Sequence, residues 1–347
     1  GLLALALISC AALGPDYESP DVDLLQEWES DLYGRIVAPA GDKTAQPDLQ
    51  YWWQLFQDPT LDRLIALAKE NNPSLRIAGL RVLESRATLA IARGSRYPQV
   101  QQLDGNYTYI DSRQDGGPDT TFRNYQSGLT IGWEQDFWGR FQRSIESADA
   151  AFAASQFNQQ NVQVLLTSQV ASLYFSYRTI LLRIQIAEKN ADIQKRSFEI
   201  TQLLYEKGQS SELDFQRAKT QYQTTLASIP GLHITRVQLR NALGVLLARA
   251  PGDLPELDTE VKPLPLVAPI AIEALPAQML MRRPDIRSAA AQIAIQSAQV
   301  GFAQADLYPS VSLQGNLSWS GTSVDNSPDA LLLGIGPSFS WNLFNYG

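Results

Sequence analysis

The side chains that most often carry out chemistry are scarce in this chain of 347 residues, which has one cysteine and one histidine. Zinc sites of Cys and His need about four ligands and thiol nucleophiles need a nearby base, so these counts remove most metal and catalytic constellations. Asp and Glu are plentiful, but no second histidine and no glycine-rich phosphate loop accompany them. The sequence therefore predicts a protein that is not an enzyme and needs no cofactor, with His233 in a structural role.

Cys10 is set apart by the residues that precede it. An apolar run, Leu2–Leu7, is too short to span a bilayer as a helix of ~20 residues, and Ile8-Ser9 then brings small side chains next to the thiol. This lipobox predicts that residues 1–9 are the remnant of a lipoprotein signal peptide, with its start missing. Cys10 would then be the first mature residue, carrying covalent lipid such as palmitate. The alternative is a buried cysteine behind an ordinary signal peptide.

The charge balance of 28 Lys and Arg against 36 Asp and Glu gives a net charge of -8. Phosphate binding requires clustered cations, so we expect no nucleic-acid partner. The acidity indicates either a solvated surface or an acidic pore lining that favours cations.

An internal repeat organises the chain. Residues 73–100 laid over 284–311 without gaps give matches at both ends and in the middle, and Trp133–Gly139 then lies over Trp341–Gly347. The matched pairs are Pro73/Pro284, Arg76/Arg287, Ala78/Ala289, Ala87/Ala298, Ala92/Ala303, Tyr97/Tyr308, Pro98/Pro309 and Val100/Val311. Each copy begins with proline at a helix start and stops its helix at a Tyr-Pro pair.

Polar and apolar residues alternate strictly after each Tyr-Pro pair, which predicts two strands per copy. The predicted strands cover residues 99–112, 122–137, 310–320 and 331–344. One face is small and polar and the other is apolar and aromatic, as in transmembrane β-barrel strands, although soluble sandwich strands also alternate. Four strands cannot close a membrane barrel, which needs at least ~8, so several chains must share one barrel.

A long helix is predicted from Arg140 to Glu206, where the sequence contains neither proline nor glycine. Heptad positions from Leu166 to Tyr205 are almost all apolar and form a coiled-coil seam, and a weaker set from Leu165 to Ile193 lies beside it. Two seams on one helix suit a closed wall of helices. At 1.5 Å per residue this helix spans ~100 Å, which makes it a spacer.

Gly208 ends this helix, and Ser211 to Asp214 predict a capping box for a returning helix. Pro230 within that helix predicts a kink without a boundary. The predicted organisation is an N-terminal lipid-anchored segment at 10–58, a first copy at 59–250 with its hairpin at 140–250, and a Pro-rich linker at 251–276. The second copy, 277–347, lacks the matching hairpin, which we expect beyond Gly347.

With this plan, the sequence resembles the TolC/OprM family of outer-membrane efflux lipoproteins, in its NodT branch. Two departures from the family pattern are the alanines at 289–291, where an acidic residue is usual, and Pro230-Gly231. The motifs that carry the resemblance are Tyr51-Trp52-Trp53 with Phe56, Asp58-Pro59 and Leu61; Asn71-Asn72-Pro73; Trp133 to Arg140; Tyr205 to Gly208; and Met281 to Ile286.

The resemblance implies an α+β membrane fold with two internal repeats. Its long antiparallel helical hairpins form a periplasmic α-barrel, and its four strands per chain contribute to a twelve-stranded outer-membrane β-barrel in a homotrimer. It also implies a periplasmic adaptor protein and an inner-membrane pump of the RND type as partners, with the hairpin tip facing the adaptor. The tip residues are Tyr205, Glu206, Lys207, Gly208, Gln209, Ser210, Ser211 and Asp214.

The function expected from these features is a passive outer-membrane duct for drugs and other toxic small molecules, anchored by lipid and extending into the periplasm of a Gram-negative cell. Two alternatives remain open. One is a duct of the same kind for polypeptide secretion, and the other is a non-conducting envelope scaffold or adhesin in which the hairpin is a stalk.

Overall fold

The computed structural model describes residues 12–19, 49–113, 115–116, 120–257, 263–265, 280–322 and 329–344. The chain divides into two compact units. The first comprises Gly1–Asp23, Arg81–Phe157 and Pro284–Gly347, and the second comprises Leu24–Leu80 and Asn158–Arg283.

A four-stranded antiparallel sheet dominates the first unit. Its strands follow one another in chain order, so two hairpins, β1–β2 and β3–β4, meet where β2 pairs with β3. The strands are β1 (Val100–Ser112), β2 (Thr120–Gln135), β3 (Ser310–Gly321) and β4 (Ala330–Ser340).

One predicted strand start and two predicted strand ends are wrong by a few residues. Strand β2 begins at Thr120 and not at 122, because Thr120 and Thr121 still pair with Ser112 and Asp111 of β1. Strand β2 ends at Gln135 and not at 137, because the side chain of Asp136 instead accepts hydrogen bonds from the amides of Phe141 and Gln142 at the start of the next helix. Strand β4 ends at Ser340 and not at 344, because its neighbour β3 begins only at Ser310, after a proline that has no N–H to donate.

The helices begin where the prolines predict. Helix α1 (Pro59–Asn71) is capped by Asp58, and α2 (Pro73–Gly94) and the helix α5 (Pro284–Ala305) occupy equivalent places before β1 and β3. Helix α3 (Arg140–Glu206) has 67 residues and α4 (Glu212–Leu246) has 35. Pro230 lies inside α4 without ending it, as expected, and the kink at Pro230 stays a prediction.

Each copy of the repeat has an equivalent hydrogen bond at the base of the sheet. The indole of Trp133 donates to the carbonyl of Arg96 at 3.1 Å, and the indole of Trp341 donates to the carbonyl of Leu307 at 3.1 Å. Trp133 and Trp341 are paired in the sequence overlay, and so are Arg96 and Leu307. The same bond in both copies fixes the end of a helix to the end of the second strand that follows it.

A hydrophobic core holds the second unit together. Helix α1 packs its buried face against the middle of α3 and the end of α4, with a short 3₁₀ helix, Leu49–Phe56, supplying aromatic side chains. Burial of this apolar surface is the dominant stabilising contribution. The fully buried large side chains of this core are Leu61, Leu64, Ile65, Leu243, Leu247, Leu254 and Val170.

None of the helices that the structure describes is both long enough and apolar enough to cross a bilayer.

Candidate functional site

The sheet has one apolar face and one polar face. Residues that pair across antiparallel strands share a face, and the register pairs odd-numbered with odd-numbered residues throughout the sheet. The odd-numbered face carries mostly apolar side chains that are exposed in the single chain. Its apolar members are Leu103, Tyr107, Tyr109, Tyr125, Leu129, Ile131, Trp133, Val311, Leu313, Leu317, Trp319, Leu331, Leu333, Ile335, Pro337 and Phe339.

The even-numbered face is built mainly from small and polar residues. Four large apolar side chains lie on this face: Ile110 and Phe122, which pair at the hairpin end, Leu332, and Val100 at the helix-side end. Its other members include Gln102, Asn106, Thr108, Asn124, Gln126, Gly128, Thr130, Gly132, Ser312, Gln314, Asn316, Ser318, Ser320, Gly334, Gly336 and Ser338. An apolar outer face and a polar inner face are typical of a transmembrane β-barrel.

Aromatic residues mark both ends of the apolar face. Tyr125 and Trp319 lie toward the hairpin turns, and Trp133 and Phe339 lie toward the helices. The eight residue-to-residue steps from Tyr125 to Trp133 cover ~27 Å of strand, or about 20 Å of bilayer at the usual barrel tilt. Tyr and Trp prefer the two interfaces of a membrane, so we expect the band between them to lie within the hydrocarbon core, where the apolar band of a barrel is ~25 Å tall.

A short N-terminal segment, residues 12–17, is tied to the helices of the first unit. The buried guanidinium of Arg143, 3% exposed, donates to the carbonyls of Leu13 and Gly14 at 2.9 and 3.0 Å. It also contacts the carboxylates of Asp16 at 2.9 Å and Glu146 at 2.7 Å, so its charge is fully paired. The amide of Leu13 donates to the carbonyl of Trp138 at 3.0 Å. We call residues 12–17 the N-terminal strap.

Two glycines leave room for this strap. A Cβ placed on Gly301 of α5 would come within 2.6 Å of the carbonyl oxygen of Leu13 and 2.8 Å of Arg143 Nε. Gly139, with φ +75°, faces Ala12 just as closely. Cys10 itself lies outside the described residues, so its lipidation stays a prediction.

The predicted hairpin tip is a compact turn between α3 and α4. Gly208, with φ +73°, ends α3, and the amide of Gln209 reaches back to the carbonyl of Leu204 at 2.8 Å. Ser211 caps α4 by accepting from the amide of Asp214 at 3.1 Å, and its hydroxyl donates to the Asp214 carboxylate at 2.6 Å. The structure thus places the eight predicted tip residues in this turn and in the helix ends on either side of it.

Aromatic rings stiffen the hairpin behind this turn. Tyr205 stacks on Phe215 with ring centroids 5.3 Å apart, and Phe198 contacts both Phe215 at 5.7 Å and Tyr222 at 6.1 Å. Around them the tip exposes Glu206, Lys207, Leu213 and Asp214 to solvent. A rigid turn with exposed charges and with Leu203, Leu204 and Leu213 exposed is a suitable surface for another protein.

The two predicted seams of α3 differ in their surroundings. The first is buried within the chain at Leu166, Val170, Tyr177, Ile180 and Ile184. The second is largely exposed, with Leu165 at 51%, Ile186 at 60% and Ile193 at 59%. One side of α3 therefore packs inside the chain, and the adjacent side offers an apolar stripe to a further helix.

Sequence reasoning missed a buried polar cluster in the second unit. The hydroxyl of Tyr174 donates to Asp58 Oδ2 at 2.6 Å, and Arg178 Nη1 donates to the same oxygen at 2.9 Å. Arg178 Nη2 also donates to the carbonyl of Pro263 at 2.9 Å. Burial, together with the bond to Asp58, raises the pKa of Tyr174 to about 12.

Within the described ranges, no group of three or more His, Cys, Asp or Glu side chains is placed to hold a metal ion.

A two-faced sheet followed in the chain by a long helical hairpin defines the wall subunit of a channel in an outer membrane. Residues 64–249 and 275–347 match the family described as outer membrane efflux protein. The chain belongs to this family. It is the outer-membrane exit channel of a tripartite efflux system.

Relatives along almost the whole chain support this identification. The solvent efflux pump outer membrane protein SrpC of Pseudomonas putida is 32% identical over 357 residues, which cover 100% of this chain and 74% of SrpC. The cation efflux system protein CusC of Escherichia coli is 30% identical over 324 residues, 93% of this chain and 68% of CusC. The probable outer membrane lipoprotein SilC of Salmonella typhimurium is 29% identical and covers 92% of this chain and 67% of its own length.

Solved structures confirm the TolC-like fold. The outer-membrane channel OprN superposes with a TM-score of 0.83 at 32% identity, covering 95% of this chain and 73% of OprN. The open state of the MtrE outer membrane channel of Neisseria gonorrhoeae gives 0.76 at 25% identity, over 97% of this chain and 74% of MtrE. The combination of helices and sheet expected from the sequence is thereby confirmed.

Proposed function

We propose that three copies of this chain close a single β-barrel. The described strands leave one edge of β1 and one edge of β4 without a strand partner. Each unpaired backbone group in lipid costs several kcal/mol, and a membrane barrel needs at least ~8 strands. Three copies supply the twelve strands that the resemblance to the TolC/OprM family implies, with β4 of one copy pairing with β1 of the next.

The exposed stripe of α3 supports the same assembly. In a closed wall every helix has a neighbour on each side, so a helix needs two apolar faces. The stripe at Leu165, Ile186 and Ile193 would be covered in this arrangement and would otherwise face water. The helices then form the periplasmic part of the duct.

Transport through this duct is passive and needs no covalent step, so the subunit acts without enzymatic chemistry or a cofactor. The energy comes from an inner-membrane pump of the RND type, linked through a periplasmic adaptor. We assign adaptor contact to the tip from Tyr205 to Ser211 with Asp214, because the turn is rigid and its charged side chains are exposed.

Acylation of Cys10 anchors each subunit to the membrane. The N-terminal strap supports this assignment, because Arg143 and Gly139 hold Ala12 and Leu13 beside Trp138. Trp138 donates from its indole to the carbonyl of Pro309 at 2.8 Å, directly before β3. Ala12 follows the predicted lipid attachment site by two positions in the sequence, so the strap fixes the chain directly after that site.

The transported compounds are small toxic molecules. Relatives are named for the efflux of solvents, toluene and cations. The single observation that carries the proposed function is the two-faced sheet with its two open edges.

The first test measures assembly and conduction on the protein produced in a Gram-negative outer membrane and purified in detergent. We expect a trimer by light scattering and discrete conductance steps in planar bilayers. Cysteines introduced at Lys207 or Gln209 should cross-link to the adaptor in cells, and a cysteine at exposed Arg196, ten or more residues away on α3, is the matched control. A water-soluble monomer without conductance would leave the scaffold alternative in front.

A further inference from the structure

The polar face of the sheet carries charge of one sign only. Among the even-numbered residues of the four described strands, the charged side chains are Asp104 and Glu134, and neither Lys nor Arg occurs. The arginine of the sheet, Arg123, lies on the apolar face, with its guanidinium over the ring of Tyr109 at 5.5 Å. Since every strand of the proposed wall is a copy of these four, no basic strand residue faces the lumen.

The two carboxylates differ in their partners. Glu134 is 2.7 Å from the guanidinium of Arg140, which also lies 3.8 Å from Asp306, so its charge is compensated at the base of the sheet. Asp104 is exposed, and its Oδ1 accepts a hydrogen bond from the neutral amide of Gln102 at 2.7 Å. No described Lys or Arg forms an ion pair with it.

The residues beside Asp104 leave its carboxylate uncovered. Gly128 is directly opposite on β2 and has no side chain, and Gly128 in turn pairs with Ser318 on β3. The backbone of Asp104 is fixed by the hydroxyl of Ser127, which donates to its carbonyl at 3.0 Å. The side chain therefore stands on an ordered strand among small neighbours and points to the polar side.

We propose that Asp104 sets the ion preference of the barrel section of the duct, an inference that rests on the proposed function. Each copy contributes one Asp104 at the same level, so a trimer has a ring of three uncompensated carboxylates around the lumen. Like charges in a water-filled pore raise the local concentration of cations and exclude anions. The ring therefore favours passage of cationic over anionic solutes.

Ion selectivity in planar bilayers tests this ring, using the reversal potential in a KCl gradient. At about 0.1 M salt, where the Debye length is ~10 Å, we expect D104N to lower the ratio of potassium to chloride permeability about threefold. The shift should shrink at about 1 M salt because screening is then stronger. The matched control is D111N on the same strand, since Asp111 lies on the apolar face and pairs with Arg113.

A thiol variant tests the placement independently of the native carboxylate. The natural chain has one cysteine, Cys10, so D104C adds a single reporter. A cationic methanethiosulfonate added in water should attach to the thiol of D104C and reduce the current, because it places a bulky positive group where the native carboxylate was. The thiol of L103C faces lipid, so the current of L103C should not change. Wild-type protein treated with the same reagent is the control for reaction at Cys10.

The outcomes separate this inference from the proposed function. Channels in which D104N leaves the reversal potential unchanged and D104C is unreactive would overturn the role of Asp104 alone. A wild-type protein that forms no channels would overturn the duct and the inference together.

Discussion

Asp58 holds the second unit together through one largely buried carboxylate. Its Oδ1 accepts from the amide of Thr60 at 3.0 Å and so caps α1, and its Oδ2 accepts from Tyr174 and Arg178. Each oxygen therefore satisfies donors that would otherwise be buried without a partner, a loss that costs about 1–3 kcal/mol per group. The cluster links the start of α1 to the middle of α3.

Tyr174 gives this cluster a measurable pH dependence. Burial and the bond to Asp58 raise its pKa to about 12, above a usual value of ~10. The folded chain therefore keeps a proton that the unfolded chain releases, so this stabilisation is complete below pH ~10 and is lost as pH rises toward 12. We expect one tyrosine to ionise near pH 12 in the native protein, measured by absorbance at 295 nm.

The variant Y174F should remove this late ionisation and flatten the loss of unfolding free energy between about pH 10 and pH 12. The control Y51F changes a tyrosine that is 47% exposed and should leave the late ionisation in place. A native Y174F spectrum with the same high-pH step would show that another of the 13 tyrosines is responsible.

At the scale of elements, the N-terminal strap depends on one side chain of α3. Replacing Arg143 with alanine removes donors to Leu13, Gly14 and Asp16. We expect R143A to loosen the strap by about 2 kcal/mol, which is about thirtyfold faster hydrogen exchange at the Leu13 amide. Exchange followed by mass spectrometry on peptides from residues 12–19 would measure it.

Arg93 is the matched control for this change. Its ion pair with Asp149, at 3.3 Å, lies in the same unit but both side chains are more than 60% exposed. Exposed pairs contribute about 0–1 kcal/mol, so R93A should leave exchange in the strap near the wild-type rate. Equal exchange in R143A and wild type would mean that backbone contacts alone hold the strap. R143K should recover little, since an ammonium cannot reproduce the planar fork.

The elements themselves could be predicted because their signals are local and periodic. Strict alternation after Pro98 and Pro309 predicts the four strands, and the absence of Pro and Gly between Arg140 and Glu206 predicts the whole of α3. Heptad spacing likewise predicts the seam at Leu166 and Val170. Each of these patterns repeats the same local requirement, for burial on one face or for unbroken helical backbone, over many residues.

The side chains that fix the elements to one another could not be predicted in the same way. Arg143 resembles any charged residue in a first helical turn, and Tyr174 lies on neither predicted seam of α3. One signal was available in Gly301, since glycine inside an Ala-rich helix costs ~1 kcal/mol and usually marks a close approach. Its partner, the carbonyl of Leu13, is nearly the whole chain away in sequence.

At the scale of the whole molecule, the two faces of the sheet require different solvents. The apolar face is exposed in the single chain at Leu333 by 75% and at Ile335 by 79%. An apolar surface of this extent is stable only against lipid or another protein. Assembly, membrane insertion and conduction therefore depend on the same alternation of residues.

Two adjacent leucines of β4 test this dependence directly. Leu333 pairs with Leu317 in the middle of the apolar face, and Leu332 pairs with Ser318 on the polar face. An arginine in the hydrocarbon core of a barrel costs about 2–4 kcal/mol, whereas an arginine in the lumen stays hydrated. We expect L333R to lower the free energy of unfolding by that amount per chain and to reduce the yield of trimer in outer membranes.

L332R is the matched control, because it makes the same change from leucine to arginine one position earlier on the same strand. It should assemble normally, and by adding positive charge to the lumen it should shift the conductance toward anions. Denaturant unfolding in lipid vesicles and the fraction of trimer on mild-detergent gels measure both variants. Equal destabilisation of L332R and L333R would mean that both faces of the sheet are packed. It would contradict the proposal that the apolar face contacts lipid and the polar face lines the lumen.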